Sequence, residues 1–144
     1  MSSPTAVEVR RRLPAPVDEV FDWWTDARLL ARWMTPTGTC EATVDARKGG
    51  ALRVVMSGDG VVIEHVGEFL EVERPRRLVF TWSSPYTGPR PSVVTVMLVP
   101  APDGGTDLTL IHEELPQTTA ASHGGGWTAM LGRLQAQLEV RDGD

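Results

Sequence analysis

The sequence predicts an α+β domain: a curved antiparallel sheet whose apolar face is covered by one long helix at the C-terminal end. Three observations predict it. Between residues 39 and 115 the chain is one strand pattern after another, broken by short turn-forming clusters. Short links of this kind join antiparallel neighbours. The one long helical stripe left to cover the sheet lies near the end, over residues 126–140.

The elements follow in order. Residues 6–13, AVEVRRRL, alternate, with Val7, Val9, Arg11 and Leu13 on one face and Glu8, Arg10 and Arg12 on the other, which is a first strand. Pro14 and Pro16 break it, and Pro16 suits the first position of a helix. Val17, Val20, Phe21 and Trp24 then share one helix face, while Asp18 and Glu19 stand in the first turn, where carboxylates meet the helix dipole favourably. Asp26 is placed to cap a second short helix, ARLLARWM, with Leu29, Leu30 and Trp33 on one side.

Six strands are expected next: TCEATVDA, ALRVVMS, VVIEHVGEFLEVE, RLVFTWSS, SVVTVMLVP and TDLTLIHEEL. Gly67, inside the longest, predicts a bulge or bend, and a one-residue slip there would turn His65 from the inner face to the outer. Trp127, Met130, Leu131, Leu134 and Leu138 make the final helical stripe. The chain reads as a single domain over residues 1–144, with its core at about 6–140.

Composition narrows the function. A net charge of −5 disfavours a protein that works on nucleic acid through a basic surface. The clusters Arg10–Arg12 and Arg74–Arg77 read as solvated strand edges. A single cysteine, Cys40, allows no internal disulfide and is read as structural. No run reaches the ~18 apolar residues of a membrane span, and the N-terminus shows no leader-peptide pattern, so a cytoplasmic protein is expected.

The pattern as a whole resembles the START-like (SRPBCC) superfamily, and within it the branch named for the activator of heat-shock protein 90 ATPase. Its carriers are Pro16, Val20-Phe21, Asp26 and Trp33, then Gly49-Gly50, RRLVFTW at 76–82, SVVT at 92–95, Thr106 through Leu108-Thr109-Leu110 to His112, and Gly126-Trp127 with Leu131 and Leu134. The resemblance implies the helix-grip fold, a seven-stranded antiparallel sheet around a long C-terminal helix with two short helices after the first strand. It also implies a cavity between sheet and helix, with residues 116–126 as a lid at its mouth. Gly124-Gly125-Gly126 is then a hinge, since a phosphate loop would need a following Lys and Ser or Thr.

Chemistry is sparse. His65, His112 and His123 show no metal-ligand spacing, and no cofactor or metal is expected. No hydrolase signature is present. Enzymes of the superfamily, such as polyketide cyclases and dehydratases, work with polar groups in the cavity; His65, Tyr86 and Arg53 are candidates for that, and His112 and Glu114, which share strand parity with Leu108 and Leu110, are the candidates for catalysis. His123, within the glycine-rich segment, is expected at the surface. Candidate ligand contacts are Trp33, Met56, His65, Phe69, Trp82, Tyr86, Met97, His112, Trp127 and Met130, because aromatic and methionine side chains make adaptable apolar walls. The favoured function is binding of a small hydrophobic or aromatic molecule by a monomer or homodimer. Cyclase-like catalysis and stimulation of a chaperone ATPase are the alternatives.

Overall fold

The computed structural model describes residues 5–142; the ends of the 1–144 domain, residues 1–4 and 143–144, lie outside them. The element order is β1 (Thr5–Leu13), α1 (Val17–Thr25), α2 (Ala27–Leu30), β2 (Thr39–Val44), β3 (Ala51–Gly58), β4 (Val61–Glu73), β5 (Arg77–Trp82), β6 (Ser92–Pro100), β7 (Thr106–Leu115) and α3 (Gln117–Asp142). The strands form one seven-stranded sheet in the order β1-β7-β6-β5-β4-β3-β2, every neighbouring pair antiparallel. This is the helix-grip arrangement expected from the sequence, with α3 lying across the sheet.

Local chemistry explains the framework. Pro16 sits at the N-cap of α1, one position earlier than expected, because its ψ of 158° is still extended. Asp26 accepts from the backbone N–H groups of Arg28 and Leu29 and so starts α2. That helix ends at Leu30, and the expected continuation to residue 34 is a run of turns instead. The β3–β4 hairpin closes through Asp59 and Gly60, both at positive φ, the backbone that a two-residue turn needs. The basic clusters are paired at the surface: Arg12 with Asp103 and Asp107, and Arg74 with Asp18 and Asp22. Arg11 instead turns inward and donates to Gln135 of α3.

Gly67 is not the bulge. The register runs through it without a break, from Val66 opposite Ser83 to Phe69 opposite Phe80. The extra residue is Leu70, since Glu71 pairs with Val79. Gly67 marks a close approach: a Cβ there would stand 1.8 Å from the Thr81 carbonyl oxygen. His65 therefore keeps its inward direction and is buried. Gly67→Ala is expected to cost about 1–3 kcal/mol or more, because backbone must move to admit the methyl group. Urea unfolding measures the loss, and an unchanged midpoint would contradict the close approach.

The glycine run is not a loop either. Helix α3 begins at Gln117, so Gly124, Gly125 and Gly126 lie inside it. The apolar stripe simply extends one heptad toward the N-terminus, from Trp127 to buried Ala120. Glycine costs about 1 kcal/mol relative to alanine in a helix interior, and a Cβ at Gly125 would meet nothing within 4 Å. Gly125→Ala is accordingly expected to stabilise the protein by about 0.4–1 kcal/mol. A lower thermal midpoint would show that the helix at 125 needs glycine.

Packed under α3 is a core unusually rich in rings. Trp24 lies edge-on to Trp33 at 4.7 Å and against Trp127 at 6.2 Å, and Phe80 bridges Trp24, Phe69 and Trp82. Among the described residues no helix is long and apolar enough to cross a membrane.

Candidate functional site

A cavity of about 340 Å³ opens at the end of the sheet where the β3–β4 hairpin meets α3. Its volume is at the lower end of small-molecule sites, about 300–1,000 Å³. Strands β3, β4 and β5 supply Met56, Ile63, His65 and Trp82 to the inner wall; α3 supplies Trp127 and Met130. The rim is made by Thr35, Pro36 and Thr37 after α2, by Val61 on the hairpin, by Tyr86, and by Ser122 and His123 on α3. Arg133 steadies that rim from outside the lining, donating to the carbonyl of Thr35 at 2.9 Å. No Asp, Glu, Lys or Arg lines the cavity among the described residues.

Of the ten expected ligand contacts, Met56, His65, Trp82, Tyr86, Trp127 and Met130 line this cavity. The other four stand elsewhere. Trp33 is fully buried behind it, its indole N–H donating to the Trp23 carbonyl at 3.0 Å. Phe69 packs edge-on to Phe80 in the core. Met97 is only part-buried and lies on the face of β6 opposite to buried Val94, Val96 and Leu98. His112 is one layer behind the wall.

His112 has no exposed surface and a fixed protonation state. The Trp127 indole N–H, which only donates, points at His112 Nδ1 at 2.9 Å, so Nδ1 carries the lone pair. The proton is then on Nε2, which donates to Ser92 Oγ at 2.7 Å; that hydroxyl passes its own hydrogen to the Trp82 carbonyl. Burial, together with the neighbouring His123 and His65, pushes His112 down to about 3. The imidazole is thus a neutral bracket for the two wall tryptophans, and it has no free nitrogen to serve as a base.

Glu114 does not face the cavity. The pairing of β1 with β7 shifts by one between Thr5–Leu115 and Val7–His112, and Glu114 takes a φ of 63° at that irregularity. The strict alternation through Leu110 and His112 ends there, leaving Glu114 exposed and Leu115 buried. Arg53 also points to solvent, paired with Glu64 across the hairpin.

His65 is 7% exposed and stacks on Trp82, with ring centroids 4.6 Å apart. Its Nδ1 is buried with no hydrogen-bond partner. Burial, reinforced by nearby His123, lowers it to about 4 against weaker backbone interactions that favour the charged form. His123 departs from the surface position that the sequence predicts: α3 starts at Gln117, ahead of it, and the side chain is half-buried and lines the cavity. The extended helical stripe was the signal that would have found it.

Cys40 is half-buried, donates weakly to the Ala31 carbonyl and has its thiol pushed up by burial, all consistent with a structural residue. Among the described residues no group of three His, Cys, Asp or Glu side chains is placed to hold a metal ion.

Similar proteins are numerous in structure. A Chromobacterium violaceum protein, CV1439, superposes with a TM-score of 0.85 at 28% identity, covering 93% of this chain and 96% of that one. CalU16 from Micromonospora echinospora is 30% identical with a TM-score of 0.71 over 91% of this chain and 74% of its own. An HSP90 activator from Plasmodium falciparum is 28% identical with a TM-score of 0.64, over 77% and 74%. No curated protein matches in sequence. Residues 14–139, from the end of β1 through nearly all of α3, match the family described as activator of Hsp90 ATPase homolog 1-like protein, and the chain belongs to that family.

Proposed function

We propose that the protein binds one small, largely apolar molecule in the cavity between the sheet and α3, with no cofactor. The observation that carries this reading is the inner wall itself: a space of about 340 Å³ faced by Met56, Ile63, Trp82, Trp127 and Met130. Burying an apolar ligand there is favourable by roughly 25 cal/mol per Å², less the cost of ordering it. Binding is favoured over cyclase-like chemistry because the two groups expected to move protons are unsuited to it. His112 is committed to Trp127 and Ser92, and Glu114 is outside the cavity.

Native mass spectrometry of gently purified protein tests the reading. The expected result is a mass excess that disappears on denaturation and yields a small apolar compound. A protein that stays empty after incubation with an apolar compound library would overturn it.

A second reading, stimulation of a chaperone ATPase, is favoured by the similarity to the Plasmodium falciparum HSP90 activator over 77% of this chain. Fold alone does not carry that activity across. Adding the protein to Hsp90 in stoichiometric amounts and measuring ATP hydrolysis decides it; an unchanged rate removes this reading.

A further inference from the structure

We propose that the outer face of the sheet, the face turned away from α3, docks a basic amphipathic helix of a partner protein. The surface lies on β4 to β7 and is independent of the cavity and of the binding reading above.

The face is apolar where a solvated sheet is ordinarily polar. An antiparallel sheet that packs one side and wets the other alternates apolar and polar residues. The outward positions of β4 break that rule: Val62, Val66 and Leu70 are 68%, 44% and 37% exposed. Leu70 owes its direction to the bulge. It and Glu71 together oppose Val79, and the strand turns inward again only at Val72, which packs on the core. The register carries the patch across the sheet, since Val79 pairs with Thr95 and Thr95 with part-buried Ile111. Val79 is buried and yet stands outside the core cluster beneath the sheet, so its neighbours on the outer face are what cover it. Leu70, Val79, Thr95 and Ile111 thus form one apolar row over four strands. Contiguous exposed apolar surface of this kind marks a place where another molecule sits.

Charge identifies the occupant. The arginines of this face are engaged within the chain: Arg53 with Glu64, Arg77 with Glu71, Arg10 with Glu8 and Arg12 with Asp107. Among the described residues, the exposed Glu68 and Glu113 have no ion pair. Both belong to the row beside the apolar one. Glu113 pairs with Val93, Val93 with Thr81, and the Thr81 hydroxyl accepts from the Glu68 N–H at 2.9 Å. The row therefore ends in a free carboxylate on each side, three strand spacings or roughly 14 Å apart.

A second copy does not suit this surface. A two-fold contact would bring the face against itself, setting free carboxylates against arginines that are already paired. A helix with apolar residues on one side and lysines or arginines flanking them meets both features. Its residues at i and i+7 or i+11 share a face and span roughly 10 and 16 Å, which brackets the separation of the two carboxylates. Long basic side chains take up the difference while their stems cover apolar surface.

The test is fluorescence anisotropy on the full chain with two labelled synthetic helices. One is built of leucine and lysine with its leucines on one face; the other has glutamate in place of lysine. We expect saturable binding of the lysine helix, and binding of the glutamate helix at least tenfold weaker. Val66→Ser with Leu70→Ser should weaken the lysine helix about tenfold or more. Both positions are exposed, and circular dichroism checks that the variant is folded. Glu68→Gln with Glu113→Gln leaves the apolar row intact and should weaken binding about three- to tenfold at low salt. Raising ionic strength from about 0.05 to about 0.5 M should weaken the wild type severalfold and this variant by less than about twofold. No binding, equal binding of the two helices, or an affinity that neither pair of substitutions changes overturns the proposal. A dimer of the wild type in sedimentation that dissociates in the Val66→Ser, Leu70→Ser variant overturns it as well, by giving the face to a second copy.

Discussion

Trp127→Ala is expected to cost about 3–5 kcal/mol. The ring is 1% exposed and touches Trp24, Trp82 and His112, so its removal opens a void where α3 meets the sheet. The surrounding rings are themselves pinned and cannot collapse into the space. Removing the indole also takes the donor from His112 Nδ1. Trp127→Phe separates the two effects: it keeps a ring in place but leaves that nitrogen unpaired, at a cost of about 1–3 kcal/mol. Urea unfolding of both variants measures them. A loss below about 1 kcal/mol for Trp127→Ala would mean that α3 is not held by this ring.

The second large effect is acid destabilisation. His65 and His112 titrate at about 4 and about 3 in the folded protein, against an ordinary value of 6.5. Both values are lowered, so the folded state prefers the neutral rings. Above pH 6.5 neither state is protonated and the contribution is fully present. As pH falls below that, the unfolded chain takes up protons that the folded chain refuses. Stability then declines by about 1.4 kcal/mol per pH unit for each histidine, or about 2.8 for the pair, until the folded rings themselves titrate. The decline should be visible well above the range where carboxylates such as Asp103, itself held low by the Gly105 N–H and Arg12, begin to matter. His112→Gln should roughly halve the slope between pH 6.5 and 4.5 in urea-unfolding midpoints. A flat profile over that window would contradict the buried, neutral state of both rings.

These effects depend on positions that the sequence reveals unevenly. Strand alternation and turn chemistry place all seven strands, and the parity that aims His65 inward survives because the register passes unbroken through Gly67. Met56, Trp82, Trp127 and Met130 follow from the same periodicities. What local pattern cannot show is a bulge whose extra residue is not glycine. Leu70 and Glu114 are both of that kind, and the second moves a catalytic candidate out of the cavity. Nor does propensity reveal that three glycines stay helical when tertiary packing buries Ala120 and Trp127 on either side of them. His123, inside that helical stretch, therefore stands on the cavity wall and not at the surface. The partnership of Ser92, His112 and Trp127 joins residues up to thirty-five positions apart and is visible only in three dimensions.

The most direct test of a ligand between sheet and helix is a ¹H–¹⁵N spectrum that follows the five tryptophan indole N–H signals during titration with 2-naphthol. Trp82 and Trp127 line the cavity, whereas Trp23 and Trp33 lie outside its lining. Saturable shifts of the Trp82 and Trp127 signals, with Trp23 and Trp33 unmoved, are the expected result. Shifts confined to Trp23 or Trp33, or no saturable shift at all, would contradict a ligand site in this cavity.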